Sequence, residues 1–290
     1  MLFAEAFLLS AGIGILTGVF GVGGGFLMTP AMMIILGLPG SVAVGTSLAT
    51  MLCTSSFGLF TRRGSNTIDV KIVAFMAVGS LIGVWTGSTQ LERLKKLPAL
   101  RIHGHEVVAV QYVLLWVFMG ILLWTAGFMV YDYRRKRQRG DTGPQVGLLA
   151  GIAFPPYAHF SSLVQPRLAV VPLILLGLFV GILTGLMGIG GGVVLLPVLI
   201  YLIGQPTAKA AGTSLLLVWI SAMMGVYINA RLGNIQLMLL AAMVAGGVIG
   251  TSAGTHIGLK ADESKLRLYF VYVILAAAVM IGMKLAHMTL

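Results

Sequence analysis

From the N-terminus, apolar positions run in blocks of about 20 residues or more, separated by short polar turns. That is the length a helix needs to cross the hydrocarbon of a bilayer. The blocks lie at about Leu2–Leu36, Ser41–Phe60, Ile68–Leu91 and Val107–Tyr131, then at about Val171–Ile203, Thr207–Ala230, Ile235–Ile257 and Leu266–Leu285. The pattern predicts an all-α, polytopic membrane protein with about eight transmembrane helices.

The first and fifth blocks are too long for one simple span, and each is interrupted by glycine. The first reads Gly18-Val19-Phe20-Gly21-Val22-Gly23-Gly24-Gly25-Phe26-Leu27-Met28-Thr29-Pro30, the second Gly185-Leu186-Met187-Gly188-Ile189-Gly190-Gly191-Gly192-Val193-Val194-Leu195-Leu196-Pro197. Each glycine costs a helix interior roughly 1 kcal/mol relative to alanine, so each cluster predicts a break between a longer first arm and a shorter second one. The two copies are offset by 167 positions, from Thr17 to Thr184 and from Pro30 to Pro197. The same offset relates Gly79, Gly83 and Gly87, a tight helix-packing face, to Gly246, Gly250 and Gly254. It also relates Gly45-Thr46-Ser47-Leu48 to Gly212-Thr213-Ser214-Leu215.

The chain therefore reads as two homologous four-helix repeats with broken first helices, 1–131 and 171–290. A basic linker and an interfacial segment, 132–170, join them. Pro155-Pro156 and Pro166 break the apolar run from Gln145 to Val170, which suits a short interfacial helix or irregular cover. If each first block crosses the membrane, the repeats are parallel. If each is a hairpin that returns to its own side, they are inverted. Both arrangements occur among transporters.

Composition agrees with a membrane chain. Of 290 residues, 58% are hydrophobic and 9% charged, with a mean hydropathy of +1.00. The net charge of +11 sits in short loops, as topology signals and headgroup contacts do. No basic, aromatic-interleaved surface points to nucleic acid. Counting simple crossings, Arg62, Arg63, the run Arg134-Arg135-Lys136-Arg137, Arg139 and Arg231 share a side with both termini. By this count both termini are expected in the cytoplasm.

The paired breaks are the candidate chemistry. A break bares backbone N–H and C=O groups that lipid cannot satisfy. The N–H groups that open a second arm carry partial positive charge and suit an anion, and glycine admits close approach of a solute to the backbone. The candidate solute-binding residues are Gly21, Gly23, Gly24, Gly25, Gly188, Gly190, Gly191 and Gly192. To these are added Thr17, Thr184, Gly45, Thr46, Ser47, Gly212, Thr213 and Ser214, whose hydroxyls or close-packed backbones flank the breaks. The alternative for the hydroxyls is bonding to their own helix carbonyls. The acidic residues Glu5, Asp69, Glu92, Glu106, Asp132, Asp141, Asp262 and Glu263 all avoid the middle of a block, which disfavours a carboxylate relay.

The dinucleotide fingerprint lacks its strand and acidic residue. The pair His103/His105 lacks further metal ligands nearby, and Cys53 has no catalytic partner. No cofactor, metal or enzymatic activity is indicated.

The doubled stretch, Thr17 to Pro30 with Gly45-Thr46-Ser47 and Thr184 to Pro197 with Gly212-Thr213-Ser214, resembles the TauE/SafE (DUF81) family of sulfite exporters. The resemblance covers nearly the whole chain outside its loops and linker. It implies a multi-pass inner-membrane transporter, an exporter of small sulfur-containing or organic anions such as sulfite or organosulfonates. The expected partners are a small anionic solute and the lipid bilayer, with homo-oligomers left open. The expected mechanism is rocking of one repeat against the other, giving alternating access. The competing reading is a polytopic sensor or assembly partner that transports nothing.

Overall fold

The computed structural model describes residues 2–20, 25–64, 67–96, 98, 100–102, 105–107, 109–139, 147–151, 155–160, 163, 167–260 and 263–289. The helices are α1 (Leu2–Phe20), α2 (Gly25–Ile34), α3 (Gly40–Thr61), α4 (Val70–Lys95), α5 (Ala109–Arg139) and α6 (Val170–Met187). They continue with α7 (Gly192–Pro197), extended by a wider π-helical turn at Val198–Ile203, then α8 (Thr207–Arg231), α9 (Leu237–Lys260) and α10 (Glu263–Thr289). Two small antiparallel hairpins, β1 (Leu100–Ile102) with β2 (His105–Val107) and β3 (Tyr157–His159) with β4 (Arg167–Ala169), lie in connections. Among the described residues, 8 helices are long and apolar enough to cross a membrane. The chain is an all-helical, multi-pass membrane protein.

Helix α1 is described to Phe20 and α2 from Gly25, the residues between lying outside the described ones. At the second cluster α6 ends at Met187, and Gly188, Gly190 and Gly191 take φ of 68°, 66° and 72° before helix resumes at Gly192. Only glycine adopts such angles without strain. The basic run Arg134 to Arg137 continues α5 to Arg139 rather than starting a loop. Beyond it, Phe160 is buried edge-on against Phe75 of α4, with ring centroids 6.1 Å apart. This connection therefore covers one end of the helices.

Glycine contacts fix the helix directions. A Cβ added at Gly246, Gly250, Gly254 or Gly258 of α9 would overlap the carbonyls of Phe7, Ala11, Ile15 and Val19 of α1 in turn. The two helices thus run parallel, backbone against backbone. Gly79, Gly83 and Gly87 of α4 meet the carbonyls of Ile174, Leu178 and Ile182 of α6 in the same way. The contacts of Gly246, Gly250 and Gly254 have their counterparts 167 positions away on both partners, in Gly79, Gly83 and Gly87; Gly258 has none, Leu91 standing at its place.

The helix α3 runs parallel to α1, since Arg62 just past its end donates from Nη2 to the Gly18 carbonyl at 3.2 Å. Helix α8 runs parallel to α4, with Ser80 and Ser221 hydroxyls 2.6 Å apart. It runs antiparallel to α3, since Gly225 meets Leu48 and Gly58 meets Leu215.

These directions decide how each first block sits. Because α1 and α3 are parallel, the chain that enters through α1 must return through α2 to the face it came from. Helix α2 runs against α3, with Thr29 at Ser47 and Gly25 at Met51. Helices α6 and α8 are likewise parallel, so α7 and its π turn return the chain to the start of α6. Each first block is thus a long helix and a half-helix folded into a hairpin. Phe270 near the start of α10 packs on Phe20 at the end of α1, centroids 4.9 Å apart. Helix α10 therefore ends on the face where α1 begins.

Candidate functional site

The two breaks meet near the middle of α3. A Cβ on Gly25 would lie 2.7 Å from both the Gly188 and the Ile189 carbonyl oxygens and would overlap the Met51 sulfur. A Cβ on Gly190 would overlap the Met51 methyl and lie 3.1 Å from Val218. Met51 of α3 and Val218 of α8, both fully buried, therefore fill the space between the two half-helices. Phe20 and Phe26, on either side of the first break, both pack on Phe270 of α10, which anchors that break at both ends.

A polar knot lies beside Gly25. The Ser47 hydroxyl is 3.0 Å from the Gly188 carbonyl and 3.0 Å from the Val44 carbonyl. The Thr29 hydroxyl is 2.8 Å from Ser47 Oγ and 3.3 Å from the same Gly188 oxygen. Gly188 takes a left-handed conformation at the end of α6, so its carbonyl leaves the helix and is met by side chains of the other half. Thr29 was not among the sequence candidates. Its counterpart is Leu196, so the repeat gives no signal for it. Only the fold-back of α2 along α3 brings it to Ser47.

The structure brings together Gly25, Gly188, Gly190, Ser47 and, one turn along, Gly191, which faces Val180 and Thr184. Gly192 opens α7. Gly21, Gly23 and Gly24 lie outside the described residues. Thr17 and Thr184 donate to their own helix at Ile13 and Val180, at 2.8 and 2.9 Å, and Ser214 donates to Ala211 at 3.0 Å.

Thr46 and Thr213 stand elsewhere. The Gln236 amide, just before α9, donates to Thr46 Oγ1 at 3.1 Å, and the Asp69 amide, just before α4, donates to Thr213 Oγ1 at 3.1 Å. Gly45 and Gly212 lie against the Asn234 and Thr67 carbonyls of the same two turns. Along the antiparallel pair α3–α8, Thr46 and Thr213 are about 14 residues apart in level, roughly 21 Å at 1.5 Å per residue. One small solute cannot touch both. Sequence reasoning grouped them because they repeat; the antiparallel packing separates them.

Charge around the site is uneven. Arg62, only 4% exposed, follows α3 at the C-terminal end of α1, and burial lowers its pKa from the ordinary arginine value. Its counterpart is the neutral Asn229. On the face holding the termini, Asn234 donates to Glu92 and to Asn229 at 2.9 and 3.0 Å and accepts from Lys95 at 2.6 Å. Glu92 and Lys95 pair at 2.7 Å. This network ties the ends of α4 and α8 to the turn before α9. Among the described residues, no group of three or more His, Cys, Asp and Glu side chains could hold a metal; His103 lies outside them.

Comparison with known proteins gives one consistent answer. The family model described as "Sulfite exporter TauE/SafE" matches residues 6–281. The chain is 27% identical over 275 residues to the probable membrane transporter protein YjnA of Bacillus subtilis, covering 94% of this chain and 95% of that one. It is 23% identical over 270 residues to a probable membrane transporter protein of Xylella fastidiosa, covering 93% and 90%. No solved structure gives a significant match.

Proposed function

Since the chain belongs to the sulfite exporter TauE/SafE family, it is a membrane transporter of that type, and we propose that its solute is a small anion held where the two helix breaks meet. The observation that carries this reading is the meeting of Gly25 and Gly188–Gly190 around Met51, deep within the helices. Half-helix α2 begins there, and α7 begins close by at Gly192. Their first N–H groups carry the positive end of the helix dipole. The described spans bring no carboxylate to this place, so no side-chain charge there opposes a negative solute. Sulfite and small organosulfonates fit this chemistry, having compact oxyanion heads that backbone amides can surround. No catalytic group is needed by this reading, which takes the protein as a carrier and not an enzyme.

The repeat relation follows the inverted option. The matched contacts at an offset of 167, with α1, α3 and α9 running against α4, α6 and α8, support two halves related by an axis in the membrane plane. The halves are interlocked, because α1 packs on α9 and α6 on α4. Rocking of 1–131 against 171–290 would tear both glycine interfaces. Access would instead alternate by movement along the α3–α8 seam, with each glycine-packed pair moving as a unit.

The same directions revise the proposed orientation. Arg62, Arg63, Lys71, Arg134, Arg135, Lys136, Arg137, Arg139, Arg167, Lys209, Lys260, Lys265 and Arg267 gather on the face away from the termini. The terminal face keeps Arg93, Lys95, Lys96, Arg101, Arg231 and Lys284. The cytoplasmic side carries the excess of basic residues. The termini are therefore assigned to the outer side of the membrane, the reverse of the simple crossing count.

The test is flux of sulfite, thiosulfate and small sulfonates in proteoliposomes. One of these anions should move with the wild-type protein and stop with Gly191→Val, while membrane insertion persists. Movement of none of them, or equal flux in the variant, would remove the support for this site.

A further inference from the structure

We propose that the break of the second half also holds a monovalent cation, Na⁺ being the fitting size, bound by the Gly188 and Ile189 carbonyls and the Thr29 and Ser47 hydroxyls. The inference extends the reading of the breaks as a transport site, and it rests on the oxygens crowded at one point. Thr29 Oγ1, Ser47 Oγ and the Gly188 oxygen form a triangle with edges of 2.8, 3.0 and 3.3 Å. A cation held at about 2.4 Å from six oxygens sets neighbouring oxygens about 3.4 Å apart, so the three would exchange their hydrogen bonds for the ion by spreading up to about 0.6 Å. The Ile189 carbonyl oxygen lies as close to Gly25 as the Gly188 oxygen does, so it stands beside the same break as a further ligand.

Proton counting points the same way. The Thr29 and Ser47 hydroxyls bring two protons to a cluster that also includes the carbonyls of Gly188 and Val44. Among the described residues, lone pairs outnumber donors, and Ser47, Thr29 and Gly188 are all buried. The free carbonyl end of α6 carries the negative pole of that helix and points here. Unwound carbonyls and half-helix C-terminal ends are the groups that coordinate Na⁺ in carriers built from broken helices. A divalent ion is disfavoured because it calls for carboxylates, and none of the four ligands is charged.

The site is single. Leu196 occupies the place of Thr29 in the second copy, so only one break has the hydroxyl pair. It also adjoins the start of α2, where the anion is proposed to sit. A cation on the α6 carbonyls and an anion on the α2 amides would lower each other's cost of leaving water.

The experiment measures ²²Na⁺ retention by the purified full chain in nanodiscs without any solute, together with thermal unfolding in NaCl, KCl and choline chloride. Retained Na⁺, and a higher unfolding temperature in NaCl than in choline chloride, are expected. Thr29→Val and Ser47→Ala should each weaken retention by about tenfold or more. Thr29→Ser should keep it, which separates loss of a ligand from loss of fold. Thr89→Val, at a hydroxyl bonded to Trp85 of its own helix, should match wild type. No retention with equal unfolding temperatures in all three salts, or retention undiminished in both the Thr29→Val and Ser47→Ala proteins, overturns the site. Anion flux is scored separately. Cation retention without anion flux sinks the transport reading alone, and anion flux without cation retention sinks this inference alone.

Discussion

Replacing Thr46 and Thr213 with valine asks whether a repeated motif holds solute or scaffold. Valine keeps the shape of threonine and removes only the hydroxyl. In Thr46→Val the Gln236 amide loses the acceptor it reaches at 3.1 Å, and in Thr213→Val the Asp69 amide loses its own at 3.1 Å. A buried amide left without a partner costs about 1–3 kcal/mol. Asp69 is half-buried and Gln236 exposed, so water recovers part of each loss and the variants should fall at or below the lower end, about 1 kcal/mol. In a soluble chain of 150–250 residues that corresponds to about 2–4 °C in Tm. The Thr46→Val loss should be no larger than the Thr213→Val loss, because Gln236 is the more exposed, and the two should be nearly additive, because the residues are far apart. The assay is thermal unfolding in nanodiscs alongside proteoliposome flux over a range of solute concentrations. Lower Tm with an unchanged KM supports the scaffold role. An unchanged Tm with KM raised severalfold in either variant would refute it and return that threonine to the solute site.

Gly191→Val should destabilise by roughly 1–2 kcal/mol for forcing a side chain into the left-handed region. A further 1–3 kcal/mol or so comes from crowding Val180, and the thermal unfolding of the insertion-competent variant reads the sum. A disulfide between Leu48→Cys and Gly225→Cys in a Cys53→Ser background should block flux reversibly, since it crosses the α3–α8 seam; full flux in the oxidised protein would place the motion elsewhere. A cysteine at Arg63 should react with a membrane-impermeant thiol reagent from the cytoplasmic side only, and labelling from outside the cell would reverse the orientation. Glu92→Gln should loosen the terminal face, seen as faster modification of a cysteine placed at Asn229; unchanged reactivity would mean the network does not close that face.

Much of the architecture was legible in one dimension. Long apolar blocks dictate helices across a bilayer because backbone groups in lipid must bond within their own segment. Glycine clusters dictate breaks because they forfeit helix propensity, and α6 does stop at Met187, while α2 runs back along α3 against the direction of α1. The offset of 167 marked residues that serve alike, and Thr46 and Thr213 do make matching bonds.

What those residues touch was decided only in three dimensions. Period and composition say that a block enters the membrane, but not whether it leaves on the far side. That depends on α1 lying parallel to α3, which is set by glycine surfaces hundreds of positions apart in the chain, such as Gly246 on Phe7. The same packing put Thr46 and Thr213 near opposite faces and brought Thr29, unmatched in the second copy, against Ser47 and Gly188. A sequence repeat records which positions are equivalent, whereas a solute or an ion reads only which atoms are adjacent.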